Sequence, residues 1–157
     1  MDKIRVGVVG VGRGRSFARG AQYVGMELVA LCDTWEDRLR KQCDELGVTG
    51  YADYDEFLTH DMDAVILANY FHEHAPLALK ALDSGKHVMS ECAACHTLAE
   101  GVALCRKVEE TGQIYMFAEN YPFSAANQEM ARLFQKGEIG DFKYGEGEYV
   151  HPDSAAV

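Results

Sequence analysis

Residues 3–15 read Lys-Ile-Arg-Val-Gly-Val-Val-Gly-Val-Gly-Arg-Gly-Arg, and this stretch decides the fold. Lys3–Val9, with its Ile-x-Val-x-Val-Val pattern, predicts a short buried strand that runs directly into Gly10, Gly12 and Gly14. A helix is expected from about Ser16 to Val24. Strand, glycine turn and helix start, in that order, form the setting in which backbone N–H groups hold a dinucleotide pyrophosphate. The third glycine of a G-x-G-x-x-G pattern would fall at position 15, where Arg15 stands. Gly14 beside it can relieve the helix–strand contact instead, and Arg13 and Arg15 can add positive charge near phosphate. The competing reading is a glycine-rich turn with no ligand.

Outward from this stretch the same rhythm repeats. Glu27–Cys32 is the next apolar run, followed by a helical pattern over Glu36–Leu46 that stops at Gly47. A loop is expected around Tyr51, then a short helix over Tyr54–Leu58. Strands are predicted at Asp63–Ala68, His87–Ser90 and Gln113–Phe117, with helices at Ala75–Ser84 and about Leu98–Glu110 between them. Five apolar runs alternating with helices predict a doubly wound parallel sheet, because parallel neighbours need a crossover and the crossover is usually a helix. Beyond Phe117 the pattern changes to a helix over Ser124–Lys136 and a partly alternating strand over Asp141–Val150.

Ligands of such sheets sit at the carboxyl ends of the strands. The residues just past those ends are Gly10–Gly14, Asp33, Asn69–His74, Glu91–His96 and Glu119–Tyr121, which include most of the chain's unusual side chains. Asp33 closes the second strand 23 residues after Gly10, the spacing of the acidic residue that accepts hydrogen bonds from the adenosine ribose. Its charge disfavours a 2′-phosphate, so NAD is expected rather than NADP. The alternative is that Asp33 merely caps the following helix.

Composition narrows the partners. At 157 residues with 48% hydrophobic content, the chain supports one packed domain with an appendage. A formal charge of −10 argues against nucleic acid and anionic membranes, and favours a small-molecule ligand. The first ten residues lack a signal-peptide pattern and no run is long enough to span a bilayer, so a cytoplasmic location is expected. The five cysteines would then stay reduced.

Two local motifs invite other chemistry. His72 and His74 flank Glu73, but helical metal ligands usually lie three or four apart, so a loop lining the nicotinamide end is preferred and no metal is expected. Cys92-Ala-Ala-Cys95-His96 matches the haem-attachment pattern, yet it follows a buried strand and lacks an export route; zinc lacks a fourth ligand at a credible spacing. A thiol-redox pair of Cys92 and Cys95 remains an alternative.

With these residues in place, the whole chain resembles the Gfo/Idh/MocA oxidoreductases, the glucose-fructose oxidoreductase and inositol dehydrogenase group. The resemblance rests on Val6–Gly12, Asp33, Ala64–His74 and above all Gly85-Lys-His-Val-Met-Ser-Glu91, where family members read a-G-K-H-V-x-x-E-K-P. It implies an NAD(P)-binding Rossmann domain over residues 1–118 and, over 119–157, the truncated start of a second α/β domain that holds substrate and often forms oligomers. A homo-oligomer acting on a sugar-like or polyol substrate is the expectation. The resemblance also implies a downstream Asp and His beyond residue 157, so catalysis by this chain alone is expected to be incomplete.

Carried over position by position, the resemblance assigns Gly10, Gly12, Arg13, Gly14 and Arg15 to the pyrophosphate and Asp33 to the adenosine ribose. Asn69, Tyr70, His74 and Glu91 fall to the nicotinamide ribose side, and Asn120 to the ring or substrate. Two departures stand out: Cys92-Ala93 replaces the family's Lys-Pro, and Asn69-Tyr70 replaces its Thr-Pro. Cys92 thus stands, beside Glu91, where the catalytic lysine would be, and a thiol with a pKa of about 8.5 is mostly neutral at pH 7. A non-catalytic nucleotide-binding or sensor module is therefore the second reading, ahead of the thiol-redox protein.

Overall fold

The computed structural model describes residues 3–148. Contacts divide the chain into two compact units that meet between Glu119 and Asn120. In the first unit, β1 (Ile4–Val9), β2 (Met26–Cys32), β3 (Thr49–Tyr51), β4 (Ala64–Leu67), β5 (His87–Glu91) and β6 (Tyr115–Ala118) form one sheet in the order β3-β2-β1-β4-β5-β6. All five pairings are parallel. The crossovers are α1 (Arg15–Gly20), α2 (Glu36–Leu46), α3 (Tyr54–Leu58), α4 (His74–Asp83) and α5 (Leu98–Thr111).

Strand alternation explains why both faces are covered. Val6, Val8, Leu31 and Ile66 pack on one face with Val11, Ala18 and Leu39. Val9, Ala30, Val65, Leu67 and Val88 pack on the other with Ala75, Ala78, Leu82 and Leu104. Successive residues of a strand point to opposite faces, so a strand buried on both sides must be apolar throughout, which is what Val-Ile-Leu of β4 and Val8-Val9 of β1 supply. Helix ends are equally specific. Thr97 caps α5 in a reciprocal capping box with Glu100, and Gly112 ends the helix at φ 67°.

Two expectations are corrected. The segment around Tyr51 is a strand rather than a loop, giving six strands instead of five. Three residues on the sheet edge carry no readable alternation. Gly50 is needed there because a Cβ would stand 2.7 Å from the Cys43 sulfur. Conversely, residues 141–148 of the expected Asp141–Val150 strand hold no strand, and 149–150 lie outside the described residues. Alternation alone does not make a strand without a neighbour to pair with, and Gly145 and Gly147 weaken it further. The second unit contains α6 (Ala125–Gln135), capped by Ser124, whose hydroxyl accepts the Asn127 N–H. Among the described residues no helix is long and apolar enough to cross a membrane.

Candidate functional site

The strand order reverses direction between β1 and β4, and the glycine loop lies at the carboxyl end of β1, at this switch point. Open α/β sheets bind ligands in the crevice that forms there. Gly10 fits the crevice in two ways. Its φ of 92° belongs to the left-handed region, and a Cβ would stand 2.6 Å from the Ala68 carbonyl oxygen at the end of β4. Gly14 is equally constrained by the protein, since its Cβ would lie 2.1 Å from the Gly10 oxygen and 2.7 Å from Val8 Cγ1. Gly14 thus relieves the helix–strand contact from the position beside Arg15.

Gly12 differs. It is exposed, its φ is outside the left-handed region, and the nearest atom to its would-be Cβ is Arg38 Nη1 at 3.8 Å. Nothing in the protein requires glycine there.

The loop is held from both sides. Val11 donates its N–H to Asp33 Oδ2 at 2.7 Å, and its carbonyl accepts from Gln42 Nε2 at 2.5 Å. Asp33 Oδ1 accepts the Trp35 N–H at 2.8 Å, so Asp33 does act at the start of α2 while lying directly beside the glycine loop. The sequence reading missed Gln42. Its signal was a polar residue on the buried stripe of α2 with Leu39.

Arg13 spans the crevice. Its Nε donates to Glu91 Oε1 at 2.7 Å, and its Nη2 donates to the same oxygen. The pyrophosphate candidate and the nicotinamide-side candidate are thus paired with each other, over the end of β4. Arg15 turns elsewhere, 3.7 Å from Glu45 of α2, which Arg19 also engages.

Past β4, Asn69 Nδ2 donates to Glu73 at 2.8 Å, while Asn69 Oδ1 is buried without a hydrogen-bond partner. A buried acceptor left unfilled is costly, and a ligand hydroxyl would fill it. Tyr70 is 74% exposed. His74 is 1% exposed, its Nδ1 3.0 Å from the Ala93 carbonyl oxygen and its Nε2 3.3 Å from that of Asn69. Its ring is turned inward, where it ties the loop after β4 to the loop after β5.

Cys92 is exposed just past β5, and its thiol donates to Glu91 Oε2 at 3.6 Å. Partial burial first, and then the Glu91 charge, push its pKa above the ordinary thiol value. A raised pKa means less thiolate at neutral pH, the opposite of what a thiol-redox centre requires. Among the described residues no group of three or more metal-binding side chains occurs. Asn120 belongs to the second unit, where its carbonyl accepts the Phe123 N–H at 3.1 Å.

A six-stranded parallel sheet in this order, with a glycine loop at the switch point and an acidic residue closing β2, defines a Rossmann-type dinucleotide-binding domain. The family model for the GFO_IDH_MocA oxidoreductases, described as an oxidoreductase family with an NAD-binding Rossmann fold, matches residues 4–119, and the chain belongs to that family. A glycosyl hydrolase family 109 protein of Shewanella baltica is 30% identical over 96% of this chain. The chain spans 36% of that relative's length. Among solved structures, scyllo-inositol dehydrogenase from Lactobacillus casei with bound NAD(H) and scyllo-inositol superposes with a TM-score of 0.82 at 26% identity, covering 88% of this chain and 43% of that one. The WlbA dehydrogenase from Bordetella pertussis, in complex with NADH and UDP-GlcNAcA, gives the same score, identity and coverage.

Proposed function

We propose that this chain is the NAD-holding unit of an enzyme that moves a hydride between nicotinamide and a sugar-like or polyol alcohol. The observation that carries the binding half of this reading is Gly12. Gly10 and Gly14 are glycines because the protein leaves no room for a Cβ, whereas at Gly12 the room is there and the side chain is still missing. Close approach of a pyrophosphate to the backbone accounts for that. The unfilled Asn69 oxygen supports a ligand hydroxyl on the other side of the crevice.

When bound, the nicotinamide supplies the hydride chemistry, and the protein's part is to bind and orient. Gly10, Gly12, Arg13 and Gly14 hold the pyrophosphate, with Arg13 exchanging Glu91 for phosphate. Asp33 accepts hydrogen bonds from the adenosine ribose and disfavours a 2′-phosphate, so NAD binds more tightly than NADP. Asn69 and Glu91 face the nicotinamide ribose, and His74 acts on that side by packing its ring between the loops that carry the Asn69 and Ala93 carbonyls. Cys92 cannot supply the positive charge of the family lysine it replaces, so substrate polarisation falls to residues outside this chain.

The sugar-like substrate is favoured by the dehydrogenases named above, whose bound ligands are an inositol and a nucleotide sugar. A second reading, cleavage of a glycoside, is favoured by the glycosyl hydrolase name of the 30%-identical relatives. A longer protein carrying this unit separates them. Net NADH formation from free polyols supports the first reading, and sugar release from chromogenic glycosides without net NADH supports the second. Neither activity, with NAD still bound, would point to the non-catalytic module.

A further inference from the structure

The loop after β5 and the body of α5 border a cavity of about 440 Å³, whose mainly apolar wall includes Cys95, Gly101, Leu104, Cys105, Val108 and Tyr115. Two of these residues are thiols, Cys95 half-buried and Cys105 exposed. The place of Cys95 is fixed locally. Glu100, in the first turn of α5, accepts the N–H groups of His96 and Thr97 at 2.8 and 2.9 Å, which pins the chain immediately after Cys95 to the helix. Gly101 then makes room for the sulfur. Short of proline, glycine is the poorest residue for a helix, yet a Cβ here would stand 3.3 Å from Cys95 Sγ, tighter than a carbon and a sulfur ordinarily pack. Cys105 lies one turn further along the same face of α5. Residues four apart are helix neighbours, and the Cα–Cβ bond of a helical residue tilts toward the N-terminus. The Cys105 Cβ is therefore tilted toward the space that Gly101 leaves empty, beside which the Cys95 sulfur rests.

We propose that Cys95 and Cys105 form a redox site that closes to a reversible disulfide when the chain meets hydrogen peroxide. The C-x-x-C spacing points to Cys92 as the partner of Cys95, but the Cys92 thiol is donated to Glu91 at 3.6 Å. Cys105 is the thiol that shares a cavity wall with Cys95. Being exposed, Cys105 meets the oxidant first. Its sulfur attacks one peroxide oxygen, the O–O bond breaks, and the second oxygen leaves as water with the thiol proton, which makes Cys105 a sulfenic acid. The Cys95 sulfur then attacks the Cys105 sulfur. The S–S bond forms, the S–O bond breaks, and the hydroxyl leaves as a second water with the Cys95 proton. Two thiols have lost two electrons and two protons, and one peroxide has become two waters. The bond staples the loop after β5 to α5, and a dithiol reverses it by exchange. The site stands on two thiols and the glycine between them, and does not depend on the cofactor reading.

Residues 1–157 are reduced, freed of reductant, exposed to a small excess of hydrogen peroxide, alkylated and cut after glutamate. Cleavage there separates Cys95, in a peptide over 92–100, from Cys105, in a peptide over 101–109. Mass spectrometry should find these two peptides linked within a single chain, with Cys92 alkylated, and dithiothreitol should part them. Cys92→Ser should form the same link at the same rate, whereas Cys105→Ser, a change at an exposed side chain, should abolish it. Circular dichroism checks that both variants fold. In a chain unfolded by urea the preference for this pair should disappear, because the seat beside Gly101 is lost. A predominant bond between Cys92 and Cys95 would overturn the proposal. So would links only between chains, or Cys95 and Cys105 carried to sulfinic acid without a link. The same pairing in urea would overturn its geometric basis, since chain proximity alone would then account for it.

Discussion

A methyl group added at Gly14 and one added at Gly12 should have opposite consequences. At Gly14 the backbone, at φ −60° and ψ −17°, suits any residue, so the substitution is purely a question of space. The new Cβ would stand 2.1 Å from the Gly10 oxygen, and the Gly14 N–H is donated to that same oxygen at 2.9 Å. The two segments cannot separate without losing this bond. Overpacking costs about 1–3 kcal/mol, and with backbone as the obstacle Gly14→Ala belongs at the upper end. At about 2–4 °C per kcal/mol for a chain of this size, the melting temperature should fall by roughly 6–12 °C. At Gly12 a Cβ meets nothing closer than 3.8 Å. Gly12→Ala should leave stability unchanged or raise it by up to about 1 kcal/mol through the unfolded chain. It should nevertheless weaken NAD at least tenfold, or about 1.4 kcal/mol, because the methyl occupies the pyrophosphate's approach. Thermal unfolding by circular dichroism and calorimetric titration read the two effects separately. Wild-type NAD affinity in Gly12→Ala, or a wild-type melting temperature in Gly14→Ala, would refute the division of roles.

Asp33→Asn keeps the shape and one acceptor oxygen but loses the charge, so it should narrow the preference for NAD over NADP by about tenfold, mainly through tighter NADP; an unchanged ratio in paired titrations would remove Asp33 from that role. His74→Ala empties a buried site and takes away the ring that lies between the Ala93 and Asn69 carbonyls, so it should cost about 3 kcal/mol, seen as a lower midpoint in urea unfolding. Cys92, its pKa raised by burial and then by Glu91, holds less thiolate at pH 7 than a free thiol, and its alkylation should accelerate as pH climbs past the ordinary thiol value. Glu91→Gln removes the like charge and should speed that reaction at neutral pH. Bound NAD should slow it at Cys92 while leaving the exposed Cys105 unaffected, as mass spectrometry of the labelled peptides would show.

Much of this architecture is legible along the chain because the signals are local. An apolar run ending in Gly-x-Gly, an acidic residue closing the second run, and Gly47 at a helix end each act within a few residues of where they are read. The strand β3 escaped because three edge residues contain no period. The stretch over 141–148 was over-read because pairing needs a partner that no local pattern supplies. Arg13 and Glu91 each belonged visibly to a site, but their pairing joins positions 78 residues apart and depends on β5 lying beside β4. For His74, the sequence located the loop but not the direction of the ring.

An NAD-holding unit must take up the cofactor as a folded chain. Calorimetric titration of NAD into residues 1–157 should show one dinucleotide bound per chain, more tightly than NADP under the same conditions. A chain that circular dichroism shows to be folded, but that takes up neither NAD nor NADP, would contradict it.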